Sequence, residues 1–214
     1  MARMVLGLPY GLTTGSDLGG AFALLRQHDR LRTEFAELAA ALKSRSTVVP
    51  SGPPASLPAA VPLHLHARYR TEEIAAAFDL RSKKDSIYAP QTGVVPVGSF
   101  DLLLVTLDKG AKKKLPHLQY RDYALSPRLF HWQSQASTTR DSKAGRRHLD
   151  GKVIPLLFIR EQSKDDRGLG VPYRFLGAAR RVDDAGERPI SITFELLDGD
   201  IPADLLMVAR AAVA

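Results

Sequence analysis

The chain has 214 residues, is 44% apolar and 25% charged, and carries 30 Lys and Arg against 23 Asp and Glu, a formal charge of +7. That length suits one domain with a genuine core plus an appendage, and the balance excludes a disordered chain. With no cysteine, disulfides and zinc–thiolate centres are excluded, and no run of 18 apolar residues is present to span a bilayer.

Met1–Tyr10 is apolar but broken by Gly and Pro, and no cleavage pattern follows, so it does not read as a signal peptide. Phe22, Leu25, Leu31, Phe35, Leu38 and Leu42 recur at near-helical spacing, with Thr13, Thr14, Ser16 and Asp17 as candidate caps. This helix could lie on the main domain, pair with a second copy as a homodimer, or end a preceding domain. Residues 44–62 are rich in Ser, Pro and Ala and read as a linker, so we divide the chain into 1–61 and a β-rich recognition domain, 62–214.

Leu63–Tyr69 alternates with period two and predicts a strand with His64 and His66 on one face, followed by a short helix from Thr71. Two histidines at this spacing can bind a metal, but no Cys or carboxylate stands at a matching interval, so no metal site and no cofactor is expected. Residues 82–98 read as a loop and Phe100–Leu107 as a buried strand.

Residues 118–135 then gather the only tryptophan, Trp132, with Tyr120, Asp122, Tyr123, His131, Gln133 and Gln135. Aromatics interleaved with amides and a carboxylate suit a flat polar ring such as a nucleobase. Around this stretch the charge is concentrated, since residues 101–150 hold 10 Lys and Arg against 5 Asp and Glu. Lys109, Lys112, Lys113 and Lys114 precede it and Arg140, Lys143, Arg146 and Arg147 follow. With Arg68 and Arg121, residues 112–114, 140, 143, 146 and 147 are the candidate phosphate contacts of a DNA-binding surface. Alternation places Phe130, Trp132 and Ser134 on one face of a strand and His131, Gln133 and Gln135 on the other. Trp132 is therefore open to two readings, core residue or stacking platform. Asp122 likewise either accepts from a base or serves the local chain.

Thr138–Gly151, polar and basic, reads as a surface loop. Val153–Arg160 is a buried strand and Gln162–Gly170 a charged turn. Tyr173–Val182 is a strand whose Gly177 marks a bulge, and Tyr173 and Phe175 read as core. After a turn over residues 183–188, Ile190–Leu196 returns with clean alternation, and Pro202–Ala212 closes on a helix. The sum is an α+β domain, a curled, mostly antiparallel sheet or partly closed β-barrel, with flanking helices and an N-terminal helix.

Four strings carry a family likeness: Leu63-His-Leu-His-Ala-Arg-Tyr, Asp101-Leu-Leu-Leu-Val-Thr-Leu-Asp-Lys, Tyr120-Arg-Asp-Tyr with Leu129-Phe-His-Trp-Gln-Ser-Gln, and Tyr173-Arg-Phe-Leu-Gly-Ala-Ala. Together they resemble an uncharacterised bacterial module, catalogued as a domain of unknown function. That module commonly lies C-terminal to phospholipase-D-type nuclease and superfamily 2 helicase domains. The resemblance covers about residues 62–214. It implies the target-recognition part of a modification-dependent restriction system with a nuclease/helicase partner, cytoplasmic and nucleoid-associated. No Walker A or His-x-Lys nuclease pattern occurs, so neither ATPase nor nuclease activity carries over.

Residues 173–182 and 190–196 are also similar to the closing strands of SRA domains, PUA-like readers of 5-methylcytosine that flip the base. Leu176 and Ala179 depart from that pattern. The resulting expectation is a reader of methylated cytosine in duplex DNA, without catalytic residues. The alternatives are a hydrolase or nuclease using His64, His66 or His131 with Asp122, and a PUA-like RNA reader.

Overall fold

The computed structural model describes residues 26–45, 52–58, 61–81, 90, 92–108 and 122–211. Two compact units are distinguished, Met1–Pro50 with Glu72–Ala89 and Ser51–Thr71 with Pro90–Ala214. The first holds helix α1 (Asp29–Arg45), which leaves Phe35 and Leu38 exposed, and most of α2 (Thr71–Ala77), which buries Ile74 and Ala75. Glu72 and Glu73 sit in the first turn of α2, where carboxylates favour the positive end of the helix dipole. The caps expected at residues 13–17 lie outside the described residues.

The second unit is an open, mostly antiparallel sheet of eight strands with helices beside it, a mixed α+β architecture. Its strands are β1 (Arg68–Tyr69), β2 (Val94–Val97), β3 (Phe100–Asp108), β4 (Tyr123–Ala124), β5 (Leu129–Gln133), β6 (Ile154–Gln162), β7 (Tyr173–Ala185) and β8 (Ser191–Leu196). The order is β2-β3-β6-β7-β8-β5-β4, with β1 joined to the start of β7. One pair, β3 with β6, is parallel, and its near-continuous apolar runs match burial on both faces.

Gly177 explains how β7 serves two neighbours. The β6–β7 register shifts at Leu157/Phe158, opposite Gly177, whose φ of +95° a side chain would resist. A Cβ there would stand 2.9 Å from Leu65 Cδ2 and 3.0 Å from Asp198 Oδ2. The bulge read from the sequence is thus present, and beyond it β7 leaves β6 and pairs with β8 from Ala179 onward.

The main core gathers Leu103, Val105, Leu157, Ile159, Phe130, Trp132 and Phe194, closed by Leu205 and Ala209 of the C-terminal helix Ala203–Ala211. By strand alternation Leu102, Leu156, Phe158 and Phe175 point to the other face of the sheet, where they too are fully buried. Tyr173 and Phe175 are core residues, as expected.

Three expectations require correction. Residues 82–98 are not loop throughout, since Val94–Val97 form β2 and pair antiparallel with Phe100–Leu103 of β3. Leu63–Tyr69 is not one strand: the chain turns at Leu65–His66, with His66 at φ +63°, so only Arg68 and Tyr69 pair and His64 and His66 share no strand face. The supposed loop 138–151 contains a helix, α3 (Lys143–Leu149), and the C-terminal helix becomes α4. Ser142 caps α3, its Oγ accepting from Gly145 N at 3.1 Å and donating to Thr139 O at 2.6 Å.

Candidate nucleic-acid interface

Strand β5 has two chemical faces because its pattern alternates. Phe130 and Trp132 point inward while Leu129, His131 and Gln133 stay half-buried on the outward side. Across β4, Tyr123 is paired with His131, and the two rings stack with centroids 4.5 Å apart and planes at 16°. Across β8, His131 faces Thr193 and Gln133 faces Ser191, with Gln133 Nε2 donating to Ser191 Oγ at 3.3 Å. Thr193 in turn faces Asp183 on β7. The outward surface is therefore a row, Tyr123–His131–Thr193–Asp183, with the amide of Gln133 and Ser191 beside it.

The inward face is structural. Trp132 is 4% exposed, meets Phe194 at 6.0 Å, and lays its ring at 75° to that of His148 with centroids 5.2 Å apart. Of its two sequence readings, the core one holds, and Trp132 leaves the set of base contacts. Asp122 is buried as well, and its Oδ1 accepts the Gln133 backbone N–H at 3.0 Å, closing the β4–β5 ladder where pairing ends. Gln135 is exposed beyond the end of β5. Tyr120, Arg121, Lys112, Lys113 and Lys114 lie outside the described residues.

The basic candidates separate by how they are used. Arg68 pairs with Glu161 at 3.2 Å, and Arg140 pairs with Asp184 at 2.5 Å while its backbone N–H donates to Glu187. Asp184 is held below the usual carboxylate range, first by the hydrogen bond from Arg140 and against the opposing effect of burial. Each of these two arginines thus already faces a carboxylate. Lys143 and Arg146 are exposed and make no ion pair among the described residues; Arg146 Nε donates only to the Asp141 carbonyl, at 2.7 Å. They open onto a cleft of about 480 Å³ whose wall includes Asp141, Lys143, Arg146, Arg147, Asp150 and Lys152.

Arg147 joins the cleft to the interior. Its Nε donates to Asp101 Oδ1 at 2.6 Å and its terminal nitrogen to the carbonyls of Gly98 and Phe100 at 3.1 and 2.9 Å. The other Asp101 oxygen meets His148 Nδ1 at 3.1 Å. Asp101 is 1% exposed. Burial pushes its carboxyl upward, but the hydrogen bonds from His148 and Arg147, with their charges, outweigh it and hold the group below the ordinary range.

Asp101, His148 and Lys152 were missed in the sequence. The available signal was Asp101 itself, since a carboxylate opening an apolar strand needs a partner to be buried.

The residues of the hydrolase alternative are engaged separately. His66 Nε2 meets Asp200 O at 3.0 Å, His64 is tied through its backbone N–H, which donates to Tyr69 OH at 2.9 Å, and His131 stacks on Tyr123. Among the described residues no group of three or more His, Asp or Glu is placed to hold a metal, and no helix is long and apolar enough to cross a membrane.

An open α+β sheet with one polar, aromatic-bearing face and a cationic cleft beside a short helix defines the class of this domain. The chain belongs to the family described as Domain of unknown function (DUF3427), whose model matches residues 63–205, more than half of its length. No curated protein matches the chain.

Proposed function

We propose that residues 62–214 are a DNA-binding module that inspects a base, with 5-methylcytosine as its target, in the recognition part of a modification-dependent restriction system alongside a nuclease/helicase partner. In this reading the sheet, bent at Gly177, is a PUA/SRA-like reader scaffold left open, and it binds without catalysing. The observation that carries the reading is the outward row of β5. Tyr123 and His131 form an aromatic slab with Gln133 beside it, while the same strand's inward residues hold the core.

The physical requirements fit that chemistry. Extruding a base costs a few kcal/mol, and stacking on an aromatic side chain returns about 1–3 kcal/mol. The Gln133 amide offers both an acceptor and a donor, the pair needed to tell an exocyclic amine from a carbonyl. Lys143 and Arg146 supply sequence-independent affinity through phosphate contacts, which weakens as salt rises. The methyl group adds only about 0.8 kcal/mol, roughly fourfold, so discrimination is modest unless an unfilled cavity penalises plain cytosine.

Gel-shift titration with matched methylated and unmethylated duplexes tests this reading. Tighter binding of the methylated duplex supports it, and equal, weak binding of both defeats it. RNA of the same sequence, included as competitor, separates the DNA reader from an RNA reader.

A further inference from the structure

We propose that filling the α3 cleft with a phosphodiester is transmitted to the outward row of β5 through the contact chain Arg147–Asp101–His148–Trp132. This rests on the reading above and adds regulation to it: backbone engagement sets the geometry with which a base is inspected.

Each contact in the chain is direct. Arg147 lines the cleft and its side chain is 26% exposed there, yet its Nε holds Asp101. A phosphate in the cleft competes with Asp101 and the Gly98 and Phe100 carbonyls for the same guanidinium, since both anions suit its fork. Asp101, sealed from water, has His148 on its other oxygen, so a change at one oxygen alters the hold on the other. His148 in turn sets its ring against Trp132. Trp132 lies in β5 between His131 and Gln133, so a shift of its indole reaches the backbone that carries both outward side chains. Close packing around Phe130 and Phe194 leaves little slack to absorb such a shift locally.

Trp132 is the chain's only tryptophan, so its emission reports this contact directly. The probe is an abasic deoxyribose-phosphate oligomer bearing a terminal dye, whose anisotropy measures binding while Trp132 emission measures transmission. The expected result is that the oligomer binds and Trp132 emission changes along the same curve. Lys143→Glu with Arg146→Glu abolishes both signals. His148→Phe, which keeps a ring against the indole but cannot hold Asp101, keeps binding and loses the emission change. If His148→Phe fails to fold, His148→Gln answers the same question, because it can still donate to Asp101 while taking the ring away from the indole. Binding with silent Trp132, an emission change that survives both substitutions, or no binding at all would overturn the proposal. Failure of the base-reading proposal is a different outcome: equal affinity for abasic and base-bearing duplexes, with the emission response intact.

Discussion

Asp101 and His148 meet at 3.1 Å inside the protein, 47 residues apart in sequence, and with Arg147 on the second carboxylate oxygen they fasten α3 to the start of β3. Removing one partner of a buried pair strands the other, so the cost exceeds the net worth of the interaction. Asp101→Asn should destabilise the domain by about 3 kcal/mol, the lower end of the range for buried pairs because Arg147 keeps some contact with water. Urea denaturation at neutral pH checks this, with an unchanged midpoint as the contrary result.

The same carboxylate predicts a pH dependence. Its pKa is lower folded than unfolded, so its contribution is fully present above the ordinary value of 3.8 and is lost as pH falls through the folded value. The stability gap between the native chain and Asp101→Asn should therefore narrow as pH falls below about 4. A gap that widens on acidification would show that the carboxylate is not the stabilised species.

Gly145 is where α3 approaches the preceding turn. A Cβ there would fall 2.0 Å from the Thr139 carbonyl oxygen, a backbone atom that cannot swing aside. Gly145→Ala should dislodge α3 and lower stability by about 1–3 kcal/mol, the usual cost of overpacking, with weaker oligonucleotide binding as the cleft loses its wall. Gly98→Ala, with nothing within 4 Å, brings no such clash although its positive φ is itself unfavourable. Parallel melts of the two variants separate clash from strain.

The two faces of β5 should respond differently to truncation. Trp132→Ala opens a hole among Phe194, His148 and their neighbours and should cost about 3–5 kcal/mol of stability. Tyr123→Ala should leave stability nearly unchanged yet weaken binding of a base-bearing strand by about 1–3 kcal/mol. Thermal melts and binding isotherms on both variants test the division, and equal binding losses with equal stability losses would erase it.

The charge distribution makes a further distinction. Arg146→Gln should reduce the slope of log affinity against log salt by about 1, as expected for one lost phosphate contact. Arg68→Gln and Arg140→Gln, whose guanidinium groups already face Glu161 and Asp184, should leave the slope unchanged. Affinity measured across a salt series decides.

The sheet was legible where a single physical cause acts on the sequence. Period-two alternation in Leu129–Gln133 and Ser191–Leu196 placed the strands and divided each into two faces, and Gly177 announced the bulge. The α3 helix was not legible, because seven residues with a central glycine show no apolar stripe; it is held by the Ser142 cap and by Asp101, a residue over forty positions away. Charge counting found Lys143, Arg146 and Arg147 but could not tell cations open to solvent from those, like Arg68 and Arg140, neutralised by distant carboxylates. For Trp132, alternation gave the direction of the side chain relative to its neighbours but not which direction was the interior. The core was identified only by the facing residues Phe194 and His148.

The most direct measurement is equilibrium binding, at one fixed salt concentration, of three duplexes identical except at one position: 5-methylcytosine, cytosine or an abasic site. Affinity should fall in that order, with about fourfold between the first two and a larger step to the abasic duplex that disappears when Tyr123 and His131 are both replaced by Ala. Equal affinity for all three would contradict the claim that the outward face of β5 reads a base.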